Sequence, residues 1–163
     1  MASIRRLTSE DAGELAALLV TNREFLAPFE PDRDERFYTA EGQRQRIESG
    51  EQLAFAILDG RRIAGTVALS NITGGPFQSA NLGYWVTRDA NNRGLATTAV
   101  AEVIELAFGD LGLHRLEAGT QVDNIASRRV LEKNGFELIG LAPRYLLIAG
   151  EWRDHLLFQR TID

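Results

Sequence analysis

The segment from Leu82 to Thr97, LGYWVTRDANNRGLAT, constrains this chain more than any other. Leu82–Val86 is an apolar run with two aromatics, which suits a buried strand. Asn91-Asn92-Arg93-Gly94 breaks the run. Ala96, Ala99, Val100, Val103, Ile104 and Ala107 then recur at helical spacing. The segment therefore predicts a strand, a tight polar loop and a helix opened by glycine. A helix N-terminus carries unsatisfied N–H groups and the positive end of the helix dipole, so such a corner attracts phosphate. Gly94 permits close backbone approach and Arg93 adds positive charge. Many α/β folds contain such a corner without a ligand, so specificity must come from elsewhere. Neither G-x-G-x-x-G nor G-x-x-x-x-G-K-[ST] occurs in the chain, which removes the dinucleotide fingerprint and the P-loop.

The second informative stretch is Asn124–Phe136, NIASRRVLEKNGF. Asp123 or Asn124 can cap a helix, and Asn134-Gly135 can end it. Asn124 and Ser127 lie three apart and share one face near the helix start. Each has an ordinary reading, Asn124 as a cap and Ser127 as a solvated hydroxyl. Together they offer an amide and a hydroxyl, not two core residues.

These two segments resemble the GNAT acetyltransferases, which bind acetyl-coenzyme A. The pattern N-x-x-S-x-x-V-L-E-K-x-G-F is Asn124 to Phe136, and [QR]-x-x-G-x-[GA] falls on Asn91 to Ala96, with Asn91 where Gln or Arg is usual. Ala142–His155, Phe25–Pro31 with Arg33 and Asp34, and Ser70-Asn71-Ile72 with Gly75 and Leu82-Gly83-Tyr84 are similar to the Rim branch, the ribosomal-protein alanine N-acetyltransferases, RimJ type. The resemblance spans about Phe25 to Phe158. It implies an α/β (α+β) GNAT fold: a mixed, mostly antiparallel sheet, splayed at a cofactor groove between the Leu82–Val86 and Arg115–Val122 strands, with helices on both faces.

The 163 residues predict one domain, 1–163. The formal charge of −5 argues against nucleic acid or an anionic membrane as partner and suits a basic or amine-bearing one. With no cysteine, disulfides, thiolate metal sites and a cysteine nucleophile are excluded. No secretory or membrane-spanning pattern is visible, so a cytoplasmic location is expected. No His/Asp/Glu spacing suggests a metal set, and no Ser-His-Asp order suggests a hydrolase. Oligomeric state stays open between monomer and dimer.

Elsewhere, Ser3–Leu7 reads as a strand, and Thr8 to Asp11 matches a capping box before Leu15, Leu18 and Leu19 at helical spacing. Residues 22–36 have no clear period and read as a loop over a site. Thr39–Glu48 reads as a polar helix. Leu53–Leu58 and Arg62–Asn71 read as strands joined by an Asp59-Gly60 turn. Arg115–Val122, Phe136–Ile148 and Trp152–Ile162 read as strands, the last two turning at Ala149-Gly150.

Acetyl transfer needs a neutral amine, a stabilised carbonyl oxygen and a hydrogen bond to the departing thiolate. An α-amine, with pKa about 7.7–8.0 against about 10.4 for lysine, demands little of a base. The backbone N–H of Val86 suits the carbonyl oxygen. The resemblance puts the thiolate on Ser127 and the pantetheine amide on Asn124. Many superfamily members instead use a tyrosine where this chain has Leu131, and a glutamate about where Asn81 stands. Glu117 is the first alternative base, although a salt bridge with Arg115 is its competing reading. Glu30, Asp32, His114 and His155 are further candidates, the histidines more readily explained as structural. The expected cofactor set is Val86, Asn91, Asn92, Arg93, Gly94, Leu95, Ala96, Thr97, Asn124 and Ser127. The expected substrate set is Phe29, Glu30, Tyr84 and Tyr145. The leading expectation is acetylation of a protein N-terminal α-amine, such as that of a ribosomal protein. A small-molecule amine acetyltransferase and a catalytically silent acyl-coenzyme A-binding module are the alternatives.

Overall fold

The structure is a computed structural model and describes residues 3–163. Seven strands form one sheet in the order β1-β2-β3-β4-β5-β7-β6. They are β1 (Ile4–Arg6), β2 (Gln52–Asp59), β3 (Arg62–Thr73), β4 (Ser79–Val86), β5 (Arg115–Gln121), β6 (Glu137–Ile148) and β7 (Glu151–Thr161). Every pairing is antiparallel except β4 with β5. The helices are α1 (Ala12–Thr21), α2 (Arg23–Leu26), α3 (Ala40–Ser49), α4 (Leu95–Phe108) and α5 (Ile125–Lys133).

Strand alternation sorts side chains to two layers. Phe55, Ile57, Val67, Leu69, Leu116 and Ala118 point to one face, where Val100, Val103 and Ile104 of α4 and Leu131 of α5 complete the main core. Ala56 and Ile63 point to the other face and pack with Leu7 and with Leu15 of α1. Helices therefore cover both faces, as the resemblance implies. No helix among the described residues is long and apolar enough to cross a membrane.

Local signals explain the joints. Thr8 N–H donates to Asp11 Oδ2 at 2.9 Å, realising the capping box, and Asp11 is further held by Arg5 at 2.8 and 2.9 Å. Thr39 caps α3 through Gly42 N–H at 3.0 Å. At the end of α5, Phe136 N–H reaches Leu131 O at 3.0 Å and Gly135 N–H reaches Glu132 O at 3.1 Å, a Schellman closure with Gly135 at φ 76°.

Two expectations change. Asp59 pairs with Arg62, so the β2–β3 turn residues are Gly60-Arg61, not Asp59-Gly60. Gly60, at φ 64°, takes the first central position, where a hairpin turn asks for a positive φ. Residues 22–36 also contain α2 and a short 3-10 turn, Ala27–Phe29, and run into a second, Glu35–Tyr38. Asn22 fixes the start of that segment. Its amide donates to Leu18 O and accepts from Arg88 N–H, both at 2.8 Å, tying the end of α1 to the approach to the glycine corner.

Candidate active site

The β4–β5 pairing is short. Ser79, Ala80 and Asn81 face Arg115, Leu116 and Glu117, and no rung follows. Thr87 N–H donates to Ala64 O at 2.8 Å, so by alternation the Val86 N–H points away from β3, toward the gap that β5 has left. The strands thus part above Asn81 and expose backbone donors along β4.

Behind the gap lies a cleft of about 310 Å³. The Asn91–Thr97 backbone and Val86 form one wall, and Ile125, Ala126, Arg129, Val130 and Lys133 of α5 form the other. Gly94 is the N-cap of α4 at φ 78°, ψ 3°. Leu95, Ala96 and Thr97 are the first three residues of α4, so their amides have no intrahelical acceptor. A Cβ at Gly94 would meet no protein atom within 4 Å, leaving the cradle open toward solvent. The buried Asn134 side chain links the walls, donating to Thr97 O at 3.1 Å and Val130 O at 2.9 Å.

The Arg93 side chain is the exception in this set. Its backbone lines the cleft, but its guanidinium binds Asp59 at 2.8 and 3.2 Å. Asp59 also accepts from Arg62 at 3.2 Å, and Arg62 reaches Asp89 at 2.9 Å. Hydrogen bonds from Arg93 and Arg62 hold the Asp59 carboxyl below its ordinary range. Arg93 thus fastens the cradle loop to the β2–β3 turn, and Arg129 and Lys133 are the other cations lining the cleft. The signal for these two was present in the sequence: Ile125, Arg129 and Lys133 recur every four residues along α5.

Asn124 caps α5, its Oδ1 accepting from Ser127 N–H at 3.2 Å. Ser127 follows in the first turn, and its Oγ lies 2.7 Å from Tyr84 Oη. The same phenol is 3.2 Å from the Ser127 carbonyl oxygen. Burial pushes the Tyr84 phenol up to about 12, with the Ser127 hydrogen bond opposing. Tyr84 was expected on the substrate side; its hydroxyl is engaged with Ser127.

On the opposite face, Gln121 Nε2 donates to Pro28 O at 2.8 Å and draws the Ala27–Phe29 turn over the end of β5. Glu30 follows this turn. Burial pushes its carboxyl up, with Arg33 and Arg46 pulling against that shift. Phe29 and Tyr145 are exposed. Tyr145 lies 5.5 Å from the buried His155, whose Nδ1 is 3.0 Å from Arg153 O, in keeping with a structural histidine. Glu117 stands on the last β4–β5 rung, 3.4 Å from the Arg115 guanidinium. The structure therefore brings Val86, the Asn91–Thr97 cradle, Asn124, Ser127 and Tyr84 together around the gap. Phe29, Glu30 and Tyr145 belong to segments beyond the parted strands, and Glu117 marks where the strands part.

The sheet splits between parallel strands, a glycine-capped helix stands beside the split, and the chain belongs to the acetyltransferase (GNAT) domain family, whose model matches residues 3–137; membership makes it an acetyl-coenzyme A-dependent N-acetyltransferase. The chain is 40% identical over 161 residues to a probable N-acetyltransferase, YjcK, of Bacillus subtilis (strain 168), covering 93% of this chain and 89% of that protein. It is 33% identical over 167 residues to the ribosomal protein uS5-alanine N-acetyltransferase of Escherichia coli (strain K12), covering 97% and 86%. Among solved structures, the ribosomal-protein-S5-alanine acetyltransferase of Vibrio fischeri matches with a TM-score of 0.93 at 35% identity, covering 98% of this chain and 92% of that one. RimJ of Mycobacterium smegmatis, in complex with CoA-disulfide, matches with a TM-score of 0.89 at 32% identity, covering 97% and 80%.

Proposed function

We propose that this enzyme acetylates the free α-amine of a protein N-terminus, in the cytoplasm. The observation that carries this reading is similarity over at least 97% of the chain to two ribosomal protein S5-alanine acetyltransferases. The local chemistry agrees. Bound acetyl-coenzyme A supplies the thioester: its acyl carbon forms the new C–N bond, its C–S pair stays on sulfur, and the proton shed by nitrogen ends there through water.

The chain's residues fit that cosubstrate. The Leu95–Thr97 amides, with Arg129 and Lys133, hold the pyrophosphate. The Asn124 amide N–H, left over after capping, binds a pantetheine carbonyl. Val86 N–H donates to the thioester oxygen as charge grows there, and Ser127 Oγ–H donates to the sulfur. Glu117, at the point where the strands part, receives through water the proton the ammonium loses before attack; the proton that passes to sulfur is the second, shed once the C–N bond has formed. The acceptor enters from the opposite side, beneath Phe29, Glu30 and Tyr145. A carboxylate there attracts a protonated amine before it is neutralised.

The test is a substrate panel: a peptide beginning with Ala, one beginning with Ser, the same peptide N-blocked with an internal lysine, and small polyamines and aminoglycosides. The expected result is the highest kcat/KM on the free Ala or Ser terminus. Preference for a small amine overturns the acceptor assignment. Acetyl-coenzyme A binding with no thiol released on any acceptor points to a silent binding module.

A further inference from the structure

The hydrogen bond joining β4 to α5 has a role beyond holding the two elements together. We propose that Tyr84 is a positioning residue for Ser127: its phenol O–H donates to the serine oxygen, 2.7 Å away, and so turns the serine's own O–H toward the departing sulfur. This rests on the reading of Ser127 as the donor to that sulfur.

Each hydroxyl has one proton, and two arrangements satisfy the observed distances. In the first, Tyr84 donates to the Ser127 carbonyl oxygen at 3.2 Å and Ser127 Oγ–H donates back to the phenol. In the second, Tyr84 donates to Ser127 Oγ, which leaves the serine proton free to face the gap between β4 and β5. Negative charge on sulfur selects the second. An O–H that donates to an anion gains electron density at its oxygen and becomes a better acceptor for the O–H behind it. The chain of donors is then Tyr84 to Ser127 to sulfur, with each proton staying on its own oxygen. The buried phenol suits this task, because desolvation opposes its ionisation and keeps it a neutral donor.

Loss of the phenol has a specific consequence. A serine inside a helix readily donates to the carbonyl three or four residues back. Ser127 lies three residues past its own N-cap, so the carbonyls of Asp123 and Asn124 are such competitors. With the phenol removed, the serine proton turns to the helix backbone and away from the gap. The strand geometry explains why residue 84 supplies the partner: Leu82, Tyr84 and Val86 share one face of β4, and that face packs into the core containing α5.

The test is a double-variant cycle with saturating acetyl-coenzyme A and the best acceptor peptide. S127A should lower kcat about a hundredfold, the range seen when a donor to developing charge is removed. Y84F should lower kcat about tenfold, with KM for acetyl-coenzyme A within about twofold of wild type. The double variant should be no slower than S127A alone. Site-specific 3-fluorotyrosine at position 84 keeps the hydroxyl and should restore the rate. Wild-type kcat in Y84F, with S127A slow, overturns the positioning role alone. So does a double variant slower than S127A by the full Y84F factor, or a fluorotyrosine enzyme as slow as Y84F. Wild-type kcat in S127A overturns the Ser127 assignment and Tyr84's role with it.

Discussion

Gly94 offers a test in which strain and crowding can be separated. It caps α4 at φ 78°, where a residue with a Cβ pays about 1–2 kcal/mol. For a chain of this size each kcal/mol moves Tm by about 2–4 °C, so Gly94→Val should melt roughly 2–8 °C lower. It should still fold, because its Cβ meets no protein atom within 4 Å. The space it enters is the mouth of the cradle. For wild type, coenzyme A at a hundred times its Kd should add about 2.7 kcal/mol, a rise of roughly 5–11 °C. If valine weakens binding tenfold, about 1.4 kcal/mol of that disappears and the rise is halved. Gly94→Asn is the control for strain, since asparagine tolerates the left-handed region far better than valine. It should melt close to wild type yet lose much of the coenzyme A response. The assay is thermal melting with and without coenzyme A, checked by calorimetric titration. A folded Gly94→Val with unchanged coenzyme A affinity would refute the cradle.

Asn134→Ala should destabilise the fold by about 1–3 kcal/mol, since it removes two buried donors that bridge α4 and α5. Denaturant unfolding measures the loss, and calorimetric titration should show weaker coenzyme A binding because the cleft walls are no longer pinned. Asp11→Asn addresses pH. The Arg5 hydrogen bond, chiefly, lowers the Asp11 pKa, so its stabilisation is present at neutral pH and lost as pH falls below about 4. With Arg5 half-exposed, the variant should be about 1 kcal/mol less stable at pH 7, and the gap should narrow progressively as pH falls below about 4 in urea titrations.

What the sequence disclosed follows the range of each interaction. The glycine corner, a cap at Asp123 or Asn124 and the Asn134-Gly135 stop are local, set by φ angles and helical period, and were readable directly; the structure puts the cap on Asn124. The Gly60-Arg61 turn was misplaced by one residue because a hairpin register depends on the partner strand. The Arg93–Asp59 clamp joins residues 34 apart and the Tyr84–Ser127 bond residues 43 apart, and no local pattern encodes either. The parting of β4 from β5 was known only through family resemblance, since strand divergence is a tertiary property. The proposed acceptor side was least legible, as its candidate groups come from three separate parts of the chain, the 27–30 turn, β5 and β6.

The three rungs at Asn81–Glu117 and below are also a mechanical seam. On one side β1 to β4 form a plate stiffened by continuous antiparallel pairing; on the other, β5, β7 and β6 form a second. Above the seam the backbone passes no hydrogen bond between the plates. Tyr84 and Ser127 bridge them instead, one on the first plate and the other on the helix that follows β5. Above the seam the plates are therefore held together by side chains, through the shared core under α4 and the Tyr84–Ser127 bond. A substitution at Tyr84 or Ser127 therefore acts on both halves of the sheet at once, although the two residues lie on different elements.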